Sequence, residues 1–354
     1  MMNQLPTARF SALLTAVLTA SCVLPVQADD NKPSLYGRFN VSADKVKYDG
    51  ASLVIRGDAA ASDDEWQLSS NTSMIGVKGK MDMDFADLQL IYQAEFEIYL
   101  DDGKSSSGDT FSQRNIFAGL SHKRFGTLMA GRFDTPFKKA EGKIDQFGDL
   151  KADMDVLIGG QNRISNSIQY STPAFADMVT VNIAAIEAEG ADVDGDGQPD
   201  TGFADVLSSS VVLEYNWLYA AIAYENNQGA RRSVDGIMTG SERVDAMRAV
   251  FKATIAGFEG GVLLQQSKDA ADNSKLRDDS TLVSAAYTID RFKLKAQLGR
   301  SDGKVSEERG ELAAIGLDVR LGGKTTVYTY GSQLKLKNAD LKDTTYAVGI
   351  KHLF

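Results

Sequence analysis

Between Leu88 and Leu100 the chain alternates with period two. Leu88, Leu90, Tyr92, Ala94, Phe96, Ile98 and Leu100 fall on one face, and Gln89, Gln93, Glu95 and Glu97 on the other. Side chains two apart share a face only in an extended strand, so this stretch is a strand with one apolar and one polar side. The same alternation returns at Leu35 to Val41, Ile75 to Gly79, Val179 to Ala185, Phe292 to Leu298 and Ala313 to Leu321. A soluble sandwich would alternate in the same way, so the choice of solvent has to come from elsewhere in the chain.

It comes from the N-terminus. Residues 1–28 read as an export signal: Arg9 supplies the positive start, Phe10 to Leu18 the apolar run, and Val26-Gln27-Ala28 the small-residue end. The run is shorter than the ~20 residues a membrane-spanning helix needs. Cys22 leaves lipid attachment open as an alternative, although Thr19-Ala20-Ser21 before it lacks a leucine. Residues 29–354 then form the mature chain, which contains no cysteine and so has neither disulfides nor thiolate metal sites. Its net charge of −11 argues against nucleic acid as a partner. No later segment approaches a spanning helix. An exported chain of repeated strands that enters a membrane without a helix must close into a barrel, because lipid offers no partner to an open sheet edge.

About sixteen strand patterns can be counted, beginning near residues 34, 70, 86, 113, 126, 163, 178, 207, 217, 245, 258, 279, 291, 311, 325 and 344. Their connections alternate in length, as a barrel with short turns at one rim and long loops at the other requires. Asn216-Trp217, Ala256-Gly257 and Asp290-Arg291 are tight joins. Val46 to Ser69, Thr135 to Asn162, Glu189 to Val206, Asn227 to Val244 and Lys268 to Asp278 are long ones. The expectation is an all-β fold: one transmembrane antiparallel β-barrel domain over residues 29–354.

Several segments resemble the general trimeric porins of Gram-negative bacterial outer membranes. They are Ser34-Leu35-Tyr36-Gly37-Arg38, Ile75-Gly76-Val77-Lys78-Gly79, Phe117-Ala118-Gly119-Leu120, Gly131-Arg132-Phe133-Asp134-Thr135-Pro136-Phe137-Lys138 and Arg163 to Tyr170 followed by Pro173 and Phe175. The terminal alternation Tyr346, Val348, Ile350, Phe354 is similar to the assembly signal of outer-membrane barrels. The resemblance spans the mature chain. It implies a homotrimer of sixteen-stranded barrels in outer-membrane lipid and lipopolysaccharide, each with a third outer loop folded inward to narrow a water-filled pore for small hydrophilic solutes and ions. That loop is Thr135 to Asn162, whose Gln146-Phe147-Gly148-Asp149 resembles the family's acidic loop tip with Gln146 in place of the usual acid.

On this resemblance the pore constriction sets the loop carboxylates Glu141, Asp145, Asp149, Asp153 and Asp155 against the wall arginines Arg38, Arg114 and Arg132. Met74 stands where the family has a further arginine, so fewer wall cations face an acidic loop, and a weak cation preference is expected. The alternative for each arginine is a pairing with a neighbouring acid that only stiffens the wall. In the fourth outer loop Asp192, Asp194, Asp196 and Asp200 surround a glycine turn with the spacing of a calcium site, although Phe203 occupies the twelfth position; a solvated acidic loop is the alternative. No cofactor is required by a passive pore. An enzyme is not expected, since His122 and His352 are the only histidines and neither is placed beside a nucleophile by the pattern. A substrate-specific channel, for example for oligosaccharides, would show an aromatic stripe along the lumen, and a structural or adhesive barrel a filled lumen. Tyr36 and Tyr99 are too few for the first, and Lys293, Lys295 and Gln297 alternating with Phe292, Leu294, Ala296 and Leu298 speak against a dry interior.

Overall fold

The alternating segments pair with their sequence neighbours in antiparallel register, and the last strand returns to the first. The computed structural model describes residues 32–49, 64–187, 202, 204–229, 243–270 and 275–354. The signal segment and most of the fourth outer loop lie outside the described residues. The strands are β1 (Ser34–Asp49), β2 (Asp64–Ser70), β3 (Ser73–Asp82), β4 (Gln89–Ile98), β5 (Phe111–His122), β6 (Gly126–Asp134), β7 (Arg163–Ser171), β8 (Val179–Ile186) and β9 (Val206–Tyr215). They continue with β10 (Leu218–Gly229), β11 (Arg243–Ile255), β12 (Phe258–Asp269), β13 (Arg277–Ile289), β14 (Phe292–Gly303), β15 (Arg309–Arg320), β16 (Thr325–Leu336) and β17 (Leu341–Leu353). β2 and β3 run end to end along β1, broken only at Asn71-Thr72, so the wall is a closed barrel of sixteen antiparallel staves.

Closure is made by β1 and β17, whose register runs from Arg38 opposite Leu353 to Asp49 opposite Lys342. At the rim beyond it the terminal residue joins in: Phe354 N–H donates to the Gly37 carbonyl at 3.1 Å, and Gly37 N–H returns a bond of 3.2 Å to the Phe354 carbonyl. The Phe354 ring lies 4.9 Å from that of Phe39. Tight turns stand at the three predicted joins, where Asn216, Ala256 and Asp290 take positive φ, the conformation that matches the twist of two-residue hairpins.

Alternation sorts the two faces of the wall. Ile222, Met247, Leu298 and Ile315 are more than half exposed on the outside, where a bilayer would cover them. Toward the short-turn rim the outer face carries Tyr215, Trp217, Phe258, Tyr287 and Phe292, an aromatic girdle suited to the lipid interface. Among the described residues no helix is long and apolar enough to cross a membrane, so the strands are the crossing elements.

The first long connection ends sooner than the sequence pattern suggests. β1 continues through Val46 to Asp49 and β2 begins at Asp64, because Val46 and Tyr48 turn inward into an apolar cluster that the sequence alone does not announce. That cluster belongs to residues 135–162, which leave β6 and fold into the barrel as α1 (Pro136–Lys139) and a 3-10 turn at Met154–Val156. Thr135 caps α1 by accepting from Lys138 N–H, and Pro136 opens its first turn. Phe137, Ile144, Met154, Leu157 and Ile158 are buried in one cluster with inward-facing Val250, Leu263, Leu282, Leu312 and Leu334. Burying each such side chain contributes about 1.5–3 kcal/mol. The loop is thus held inside the barrel by an apolar seam.

Candidate functional site

Three groups of polar contacts fix the inward loop relative to the wall. The tip is held by Asp149, whose carboxylate meets Arg38 of β1 at 2.8 Å. Arg38 Nε and Nη2 also donate to the Thr72 carbonyl at 3.1 and 2.8 Å. Thr72 has a φ of 54°, and it is this break between β2 and β3 that turns its carbonyl toward Arg38. Beside the break, Asn71 donates to Ser42 and Tyr328, Tyr328 donates to Asn40, and Asn40 donates to the Asn71 carbonyl. The arginine therefore stands on a satisfied polar network, and Met74 lies directly opposite it in register.

The loop root is held by Arg248 of β11, which is 1% exposed. Its guanidinium donates to Gln265 Oε1 and to the carbonyls of Phe137 and Gly159, and it stacks 4.3 Å over the Phe137 ring. Glu225 of β10 accepts from Asn162 at 2.8 Å on the same side. Along the middle of the loop, Ser284 donates to the Ile144 carbonyl, Gln297 bridges Gln146 N–H and the Ala152 carbonyl, and Tyr219 donates to the Ala140 carbonyl.

The predicted constriction residues take different positions. Arg38 and Asp149 meet as the loop and wall were expected to. Arg114 is engaged on its own wall, 2.9 Å from Glu95 and 3.1 Å from Glu97, and Glu95 also accepts from Tyr36. Arg132 sits at the irregularity between β6 and β7 and donates to Ser165 Oγ at 3.0 Å. Asp145 and Asp153 spend their oxygens on backbone N–H groups: Asp145 accepts from Phe147 and Met154, both at 2.7 Å, and Asp153 from Asp149 and Asp155 at 2.6 and 2.8 Å. Burial pushes both carboxyls above their ordinary range, and the negative Asp145 beside Asp153 pushes the latter further. These two acids shape the loop more than they charge the lumen. Glu141, beside the loop root, is pushed up to about 7, by burial against the opposing pull of Arg248.

Sequence reasoning missed Arg248, Glu225 and Arg163. The last pairs with Asp134 at 3.0 Å, and Asp134 also holds Lys138 at 2.9 Å. An arginine at inward parity between Ala246 and Val250 is a readable signal, since a lone charge among apolar neighbours needs a partner brought from elsewhere. Asp192, Asp194, Asp196 and Asp200 lie outside the described residues. Among the described residues no group of three acids, histidines or cysteines could hold a metal ion. His122 accepts from Arg124 and Phe125 N–H at a short turn, and His352 meets Thr325 Oγ1 on the outer face.

Comparison with known proteins agrees with this architecture. The anion-selective porin from Comamonas acidovorans superposes with a TM-score of 0.69 at 20% identity, covering 91% of this chain and 99% of its own. Salmonella typhi OmpF, solved with daunomycin, gives 0.64 at 16% identity over 92% and 98%. The outer-membrane channel DcaP of Acinetobacter baumannii gives 0.63 at 13% over 91% and 97%. No curated protein matches the chain by sequence. A family model described as Gram-negative porin matches residues 12–339. With that match over most of its length and a closed sixteen-stave wall around an infolded loop, the chain belongs to the Gram-negative porin family and is a multi-pass β-barrel of the outer membrane.

Proposed function

We propose that the barrel is a general diffusion channel for small hydrophilic solutes and ions, assembled as a homotrimer among lipid and lipopolysaccharide. The Arg38–Asp149 contact carries this reading: it ties the inward loop to the wall, so that the loop partitions the lumen without plugging it by strand or helix. Water-filled polar surface lies beneath the loop, including a cavity of about 860 Å³ bounded by Lys138, Lys139, Glu141, Lys143, Glu214 and Lys252.

The expected weak cation preference is not what this charge arrangement supports. Asp145 and Asp153 are turned onto backbone, Asp149 is matched by Arg38, and Glu141 is only part-ionised near neutral pH, so few of the loop's acids act on a passing ion. Lysines line the space below the loop. We read the pore as nearly neutral at the loop tip and weakly anion-preferring overall. In a planar bilayer with a KCl gradient, the purified protein should show stable ohmic conductance and a small reversal potential of anion sign. Asp149→Asn should shift that potential toward anions and Arg38→Gln toward cations, and both shifts should fade at molar salt as screening shortens to about 3 Å. Absence of conductance would remove the channel reading; potentials unmoved by either substitution would place the pair outside the ion path.

Glu141 gives the pore a pH dependence of predictable sign. Raising pH through about 7 removes its proton and adds a negative charge to the space under the loop, so anion preference should fall between pH 6 and 8. Glu141→Gln should flatten that step in the reversal potential. A parent protein with the same potential at both pH values would contradict the assignment.

A further inference from the structure

Beneath the loop tip lies a second cavity of about 230 Å³, and its basic side chains come from parts of the chain far apart in sequence. Lys252 of β11, Lys293 and Lys295 of β14 and Lys351 of β17 face inward along the wall, and Lys143 reaches in from the loop. Three acids share the space, and the described contacts engage each of them. Glu259 holds Lys293 at 2.8 Å, Asp318 holds Lys295 at 2.9 Å, and Asp145 accepts two backbone N–H groups. Lys252 lies within electrostatic reach of Lys143 and Lys293, and Lys295 within reach of Lys351 and Lys293. Like charges gathered this closely repel one another unless an anion sits among them. Tyr328, Gln146 and Asn40 add neutral polar groups at the edge.

Resting on the channel reading above, we propose that this lysine-lined cavity is a transient binding site for small organic di- and tricarboxylates on their way through the pore. Lysines act as separate point charges on flexible stems, whereas the planar fork of arginine fits one compact oxyanion. Ammonium groups distributed from β11 to β17 match an anion whose carboxylates are spaced along a short carbon chain. The arc lies away from Arg38, Arg114 and Arg132, and so is separate from the constriction at the loop tip.

The test uses single-channel KCl current through the reconstituted full-length protein, titrated with citrate, succinate, phosphate or acetate. Citrate and succinate should reduce the current at millimolar concentration, and acetate should not. Lys252→Gln combined with Lys351→Gln should raise the half-blocking citrate concentration at least tenfold relative to each protein's own KCl current. Lys78→Gln removes a lumen lysine on the far wall, where it stacks over Tyr36, and should leave the block in place. Phosphate blocking as well as citrate, equal block in the double variant, or equal loss in Lys78→Gln would each overturn the site while leaving the channel reading standing. A parent protein that passes no KCl current would instead defeat the channel reading.

Discussion

Replacing Arg248 by methionine is expected to loosen the root of the inward loop and to lower the stability of the barrel. The side chain is buried, and its removal leaves the carbonyls of Phe137 and Gly159 and the Gln265 amide oxygen without their donor. It also leaves Glu225 and Glu141 without the cation whose field they share. Deleting one partner of a buried charge cluster costs about 3–5 kcal/mol. Methionine recovers some packing against Phe137 but none of the hydrogen bonds. The variant should unfold at lower temperature in detergent, and its single-channel record should gain fluctuating sublevels as the loop leaves and regains the wall. Arg248→Lys, which keeps the charge and loses the fork, should fall between the two. A current trace as quiet as the parent's would mean that the apolar seam alone positions the loop.

Deleting Phe354 should impair closure of the barrel. The terminal residue supplies two backbone hydrogen bonds to Gly37 and an aromatic contact with Phe39. At about 1 kcal/mol for each hydrogen bond and a similar amount for the ring contact, some 3 kcal/mol is at stake at the seam where β1 meets β17. Gly37→Val attacks the same place from the other strand. A Cβ there would fall 2.2 Å from the Phe354 ring and 2.7 Å from the Met74 carbonyl of β3, which cannot swing away as a side chain can. Both variants should give a smaller fraction of heat-resistant folded protein on refolding into detergent. An unchanged folded fraction and thermal midpoint for the deletion would show that the ladder from Arg38 to Asp49 closes the barrel unaided.

The barrel was legible because its signal is local. Alternation, turn residues and the unequal connections locate the strands, and the connection Thr135 to Asn162 begins and ends where β6 and β7 do. What the sequence concealed depends on contacts between distant residues. Leu263, Leu282 and Leu312 stand at lumen parity, where a wet pore predicts polar groups, because the loop covers them. Val262-Leu263-Leu264 carries the hint, being apolar on both faces of one strand. The carboxylates were legible as residues but not as charges. Asp145 and Asp153 look like pore-lining acids until the fold shows their oxygens turned onto the loop's own N–H groups, and Arg114 looks like a free wall cation until Glu95 and Glu97 are brought beside it.

The apolar seam between loop and wall has a consequence for sieving. The clearance available to a solute is set by where the loop lies, and most of the loop's burial is hydrocarbon against hydrocarbon, which added salt does not screen. Discrimination by charge comes from ionised groups in water and weakens as ionic strength rises. Size exclusion and charge exclusion in this protein therefore rest on different forces, and a change in external salinity should retune the second while leaving the first nearly constant.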